Sequence, residues 1–172
     1  IGNSSTYGTR TWNGVGGSWT ATDAREDQTI NGKAITVRNG VLTSPTFNDG
    51  VGSITVTVKF PFSESSGNLT LKVNGSTVGT ILFADMNGST PVIKTFSGIN
   101  VGGNVQITAT STVARYTIDD LNWTCYTACT PPSSQASSVT VSNPTSSGFD
   151  AGFTRGTDDG TILVARQTSA SN

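Results

Sequence analysis

A chain of 172 residues in which 34% are hydrophobic and 12% charged, with a net charge of about −1, is not a disordered acidic or basic tail, because such tails need high net charge. Its ten lysines and arginines are scattered, which argues against a nucleic-acid partner that would require a clustered basic surface. No apolar run approaches the ~18 residues of a membrane-spanning helix, so no membrane insertion is expected, and the lack of histidine removes the commonest metal ligand and general base.

The remainder is rich in Gly, Ser, Thr and Asn, a mix that suits a β-rich extracellular domain with many turns. The chain opens Ile-Gly with no signal peptide, and reads as a processed or excised piece of a longer precursor.

The first informative stretch is TWNGVGGSWTATDAREDQTINGKAITVRNG, residues 11–40. Trp12 and Trp19 are followed by Arg25, Glu26, Asp27, Lys33 and Arg38. Two readings stand side by side. In one, the stretch is a polar ligand-binding surface with an aromatic platform. Sugar rings stack their apolar faces on indoles, their hydroxyls take bidentate polar partners, and Arg and Lys add affinity for acidic or sulfated sugars. In the other, both tryptophans are core and Arg25 pairs with Asp27 to pin a loop. Because the stretch is Gly-rich and charged, its loops are expected to lie at the surface.

Period-two alternation follows nearly throughout. Strands are predicted at AITVR (34–38), at SITVTVKF with Ile54, Val56, Val58 and Phe60 inward, and at NLTLKV with Leu69, Leu71 and Val73 inward. Asn74-Gly75 predicts a two-residue hairpin turn into TVGTILF. PVIKTF (91–96) and NVQITAT (104–110) add two more. Short Gly, Asn, Asp and Ser clusters separate them, and no segment has helical period. About eight such strands predict an all-β, antiparallel β-sandwich or jelly roll.

The strand at YTIDDLNWTC (116–125) changes phase. Tyr116 and Ile118 share one face, and Leu121, Trp123 and Cys125 share the next. A strand keeps period two, so a bulge is expected at Asp119-Asp120, with Trp123 in the core. Cys125 and Cys129 are the only cysteines. A lone close pair reads as a small disulfide in an oxidising compartment, with free thiols as the alternative. The sandwich module is thus placed at 1–129, and a stiff Pro/Ser linker at 130–136. Residues 137–172 begin a second, partial β domain with strands around Val139, Phe153 and TILVAR.

Catalysis lacks its usual signatures. The sequence holds no GxSxG, HExxH or P-loop, and most of its carboxylates fall in turn contexts. It reads as a non-catalytic accessory module, although its parent protein could be an enzyme.

Three resemblances add to this. SSVTVSNPTSSGFDAGFTRGTDDGTILVARQ resembles the first half of a fibronectin type III domain, which implies that the chain stops in mid-domain. IDDLNW (118–123) looks like the closing strand of jelly-roll carbohydrate-binding modules and galactose-binding-like domains. Carried over from those families, Asp119 would be a ligand of a structural calcium, against the plainer role of stabilising the bulge. GSWTATDAREDQTINGKAITVRNGVLTSP, GSITVTVKFPFSESSGNLTLKVNGSTVGT and ARYTIDDLNWT, within residues 9–126, together resemble a β-sandwich module of large secreted bacterial proteins. That resemblance implies an accessory domain, monomeric within a larger chain and secreted or held at the cell surface. Its expected partner is a polysaccharide. The alternative is an adhesive or structural spacer that binds protein chains or nothing.

Overall fold

The computed structural model describes residues 1–111, 113–126, 134 and 137–155. The chain groups into two compact units, Ile1–Ala128 and Cys129–Asn172, each described by itself. The first unit contains β1 (Gly8–Gly14), β2 (Gly17–Arg25), β3 (Ile35–Val37), β4 (Val41–Phe47), β5 (Ser53–Lys59), β6 (Leu69–Val73), β7 (Ser76–Ile81), β8 (Val92–Phe96), β9 (Val105–Ser111) and β10 (Tyr116–Thr124). Among the described residues the only helix is a single 3-10 turn, Phe83–Asp85.

Every pairing is antiparallel, and the strands run β7-β6-β9-β4-β2-β3-β10-β5-β8, with β1 on β2. The path folds over at β2. The first half of β2 pairs with β4 through Thr20 and Ala21, and its second half pairs with β3 through Ala24 and Arg25. Between these halves Asp23 has φ 44°, and the β1–β2 register slips between Gly8 and Arg10. A bulge there turns the strand from one layer into the other. Leu42, Leu69, Leu71, Ile81 and Ile107 from one side meet Ile35, Val37, Ile54, Val56, Val58, Tyr116 and Ile118 from the other in one buried cluster. The unit is an all-β jelly-roll sandwich, and alternation alone dictates which side chains enter that core.

Two local expectations are realised in detail. Asn74 (φ 49°) and Gly75 (φ 82°) form the turn joining Val73 to Ser76, both in the left-handed region that this tight hairpin requires. Asp120 has φ 47°, and the β10–β5 register shifts between Asp119 and Asn122, which is the bulge the phase change demanded.

The sequence pattern assigns no strand to residues 11–25, and the structure forms the β1–β2 hairpin there. The glycines that suggested a loop are gathered at its turn. Gly16 has φ 79°, and a Cβ there would stand 2.2 Å from the Phe47 ring, so the position needs glycine both for its conformation and for its space.

The outer face of the second layer buries a hydroxyl pair. Thr36 and Thr117 are each fully buried, and their hydroxyls are 2.8 Å apart.

In the second unit β11 (Ser137–Ser142) pairs antiparallel with β12 (Asp150–Thr154). The expected linker residues 130–133 and 135–136, and the expected strand TILVAR, lie outside the described residues. Two strands are what the described residues give of this segment.

Candidate functional site

The β1–β2 hairpin sets Trp12 directly opposite Trp19, so both indoles lie on one face. Their rings stack with centroids 6.5 Å apart and planes 15° apart. Trp19 is core, only 7% exposed, and its indole N–H donates to the Val15 carbonyl at 3.0 Å. It also meets Phe47 and Trp123, whose rings are 4.2 Å apart. Trp12 is half-buried and packs against the edge of the core. Gly14 makes room for both rings: a Cβ there would fall 2.9 Å from Trp19 and 3.6 Å from the Trp12 Nε1.

The bulge at Asp120 then does a second job. By shifting the phase of β10 it aligns Leu121 and Trp123 with the aromatic cluster, both half-buried. A cleft of about 220 Å³ results, lined by Trp12, Trp19, Leu121 and Trp123, by Asp119 and Asp120, and by Ile1 among others. Sequence reasoning did not assign Asp120, Leu121 or Trp123 to a site, although the phase change carried the signal. The indole N–H groups of Trp12 and Trp123 have no protein acceptor among the described residues. Neither is a buried unpartnered group, so both N–H groups are open to solvent and free to donate to a ligand.

The carboxylates of this cleft are partly engaged. Asp119 accepts the Asn31 backbone N–H at 3.1 Å and the Asp120 N–H at 3.0 Å, and Asp120 accepts the Asn31 amide at 2.6 Å. Among the described residues neither makes an ion pair, and the cleft lining contains no lysine or arginine.

Among the described residues no group of three or more acidic, His or Cys side chains assembles around Asp119 to support the calcium expected there. Calcium takes six to eight oxygens. Both oxygens of Asp119 already accept backbone N–H groups. Asp119 holds the bulge and the Asn31 loop instead.

None of the charged residues of the same sequence stretch lines the cleft. Arg25 lies six positions after Trp19 on β2, beyond the bulge at Asp23 that turns the strand into the other layer. Arg25 forms a bidentate pair with Asp27, which lowers the carboxyl pKa and raises that of the guanidinium. Arg38 pairs with Asp23 at 2.7 and 3.0 Å and lowers its pKa, so it clamps the bend of β2. Both guanidiniums lie on the ring of Tyr7, at 5.6 Å (Arg25) and 4.2 Å (Arg38) from its centroid. Glu26, 8% exposed, accepts the Gly2 N–H at 2.9 Å. Lys33 donates to the carbonyls of Ile1 and Gly2. These five side chains hold the segment that precedes β1. The structure therefore joins Trp12 and Trp19 to Asp119, and does not join them to Arg25, Glu26, Asp27 or Arg38.

A larger concavity of about 490 Å³ lies under Phe60, Phe62, Phe83 and Met86. Its one charged group is already matched: Glu64 pairs with Arg115 at 2.6 Å, and Arg25 and Arg115 cover the Phe62 ring. Cys125 is exposed with a free side chain, and its expected partner Cys129 lies outside the described residues.

No family profile matches the sequence, and no curated protein matches it. Solved structures do. The chain is similar to a glycoside hydrolase family 43 arabinoxylan arabinofuranohydrolase from Bacillus subtilis, solved with cellotetraose, at 15% identity and TM-score 0.50. The match covers 73% of this chain and 28% of that enzyme, so the chain spans little over a quarter of that protein's length. A family 36 carbohydrate-binding module solved with calcium and xylotriose matches at 16% identity and TM-score 0.47, over 67% of this chain and 98% of the module. A module from Clostridium stercorarium solved with cellobiose matches at 16% identity and TM-score 0.40, over 70% and 82%. At these identities the likeness is one of fold.

Proposed function

We propose that the first unit is a non-catalytic carbohydrate-binding module of a secreted or surface protein, and that the Trp12–Trp123 cleft is its sugar site. The observation that carries this reading is the pairing of two indole N–H donors that lack protein acceptors with two carboxylates in one aromatic-lined cleft. A sugar hydroxyl both donates and accepts. It bridges such groups while the ring's apolar face lies on an indole. Trp12 is the platform, Trp19 backs it from the core, and Trp123 forms the facing wall. Arg25, Glu26, Asp27, Lys33 and Arg38 support the scaffold in this reading and do not touch ligand.

The jelly-roll likeness supports the reading only at the level of fold, where it sits beside the cellotetraose bound by the Bacillus subtilis enzyme. A Cys125–Cys129 bridge, and a role in holding a parent protein on a polysaccharide, belong to the same reading. Affinity gel electrophoresis on a panel of plant, marine and host polysaccharides tests it. Retention by at least one glycan, lost in Trp12→Ala, is the expected result. No retention on any of them favours the second reading, a structural spacer, which gains from the internal pairing of Arg25 and Arg38.

A further inference from the structure

The sequence stretch rich in Arg and Lys leads one to expect an acidic or sulfated sugar. The cleft has the opposite electrostatic sign. Asp119 and Asp120 line it, neither is paired with a cation among the described residues, and no Lys or Arg lines it with them. Lys33 donates to the carbonyls of Gly2 and of Ile1, itself a lining residue, but does not line the cleft and makes no ion pair with either carboxylate. The groups that contact these carboxylates are neutral amides, all from Asn31 and the backbone. They orient the carboxylates and add no positive charge of their own; the one cation at the lining is the α-ammonium of Ile1.

Resting on the sugar-site reading above, we infer that Asp119 and Asp120 set the charge selectivity of the Trp12–Trp123 cleft: it takes amino sugars most readily, neutral sugars next, and rejects uronates and sulfated sugars. The reason is Coulombic. A unit charge on a ligand some 7 Å from two carboxylates, at the high effective dielectric of an open cleft, changes affinity by about fivefold at low salt. The same sign makes the half-buried Trp12 ring a favourable neighbour for an ammonium group. Salt screens the effect, so the spread of affinities narrows as ionic strength rises.

The test uses three ligand sets that differ only at C6: methyl glycosides of glucose, galactose and mannose, their 6-amino-6-deoxy analogues, and their uronates. The chain is ¹⁵N-labelled and N-terminally acetylated, so that no α-ammonium at Ile1 offsets the carboxylates. The chain has three tryptophans, and their indole N–H resonances report the site directly. The expected result is saturable shifts at Trp12 and Trp123 that strengthen about fivefold from uronate to neutral and again from neutral to amino sugar. The spread should collapse in Asp120→Asn, and further in the Asp119→Asn, Asp120→Asn pair. Asp120→Asn keeps an oxygen that can accept the Asn31 amide, so it guards against mere misfolding. Neutral and charged sugars binding alike, or an order unchanged in both variants, overturns the selectivity and leaves the sugar site standing. No indole shift with any sugar overturns both.

Discussion

Trp12 and Trp19 are cross-strand partners with nearly parallel rings, yet only Trp19 is buried. One strand pair thus gives the cleft a buried indole that belongs to the core and a half-buried one at its edge. Trp19→Ala should cost about 3–5 kcal/mol of stability, because it opens a cavity against Phe47 and Trp123. Trp12→Ala should cost about 1 kcal/mol while abolishing glycan retention. Urea denaturation and affinity gels run on the same two proteins separate these effects. Equal stability losses would mean that Trp12 is core as well.

The scaffold residues give the converse experiment. Arg38 and Glu26 face the β2 bend and the Gly2 amide, not the cleft. Arg38→Ala and Glu26→Gln are expected to lower the unfolding temperature by a few degrees and leave glycan retention within about twofold of the parent. A tenfold loss of retention without loss of stability would return these residues to the ligand surface.

Acid should weaken the fold through Asp23 and Asp27. Arg38 and Arg25 hold these carboxyls below their ordinary 3.8. Each is charged in the folded state at a pH where the unfolded chain already binds a proton. Their contribution is complete above the unfolded pKa and is lost as pH falls through the folded one. Both side chains are partly exposed, 28% and 22%, so solvent screens the pairs and the effect is modest. Unfolding temperatures measured between about pH 5 and pH 2 should fall less steeply in Asp23→Asn than in the parent.

The buried Thr36–Thr117 hydroxyl pair predicts strong coupling. Thr117→Val alone strands the Thr36 hydroxyl without its 2.8 Å partner and should cost about 1–3 kcal/mol. Replacing both with Val removes donor and acceptor together and should come close to neutral. A double-mutant cycle by chemical denaturation measures this, and additive losses would show that the two hydroxyls have other partners.

Most of the fold was legible because alternation is a local property. Ile54, Val56 and Val58 point inward whatever the rest of the chain does, and Asn74-Gly75 takes its left-handed turn for the same reason. The break in phase at Asp119-Asp120 was legible too, since a bulge is the cheapest way to change which face is inward. The β1–β2 hairpin was not. Its glycines carry the signature of a loop, and only the Phe47 ring packed over Gly16 shows why a tight turn needs them.

By itself the sequence determined the β architecture, the turn and the bulge, and the residue types from which a site could be made, because strand period and backbone preference act between near neighbours. Which of those residues stand together was decided by the tertiary structure. Arg25 and Trp19 are six positions apart on β2, yet the bulge at Asp23 between them turns the strand, so they serve different layers. Asp120 and Trp12, more than a hundred positions apart in the chain, share a cleft because β2 folds from one layer to the other and brings the β1–β2 hairpin beside β10.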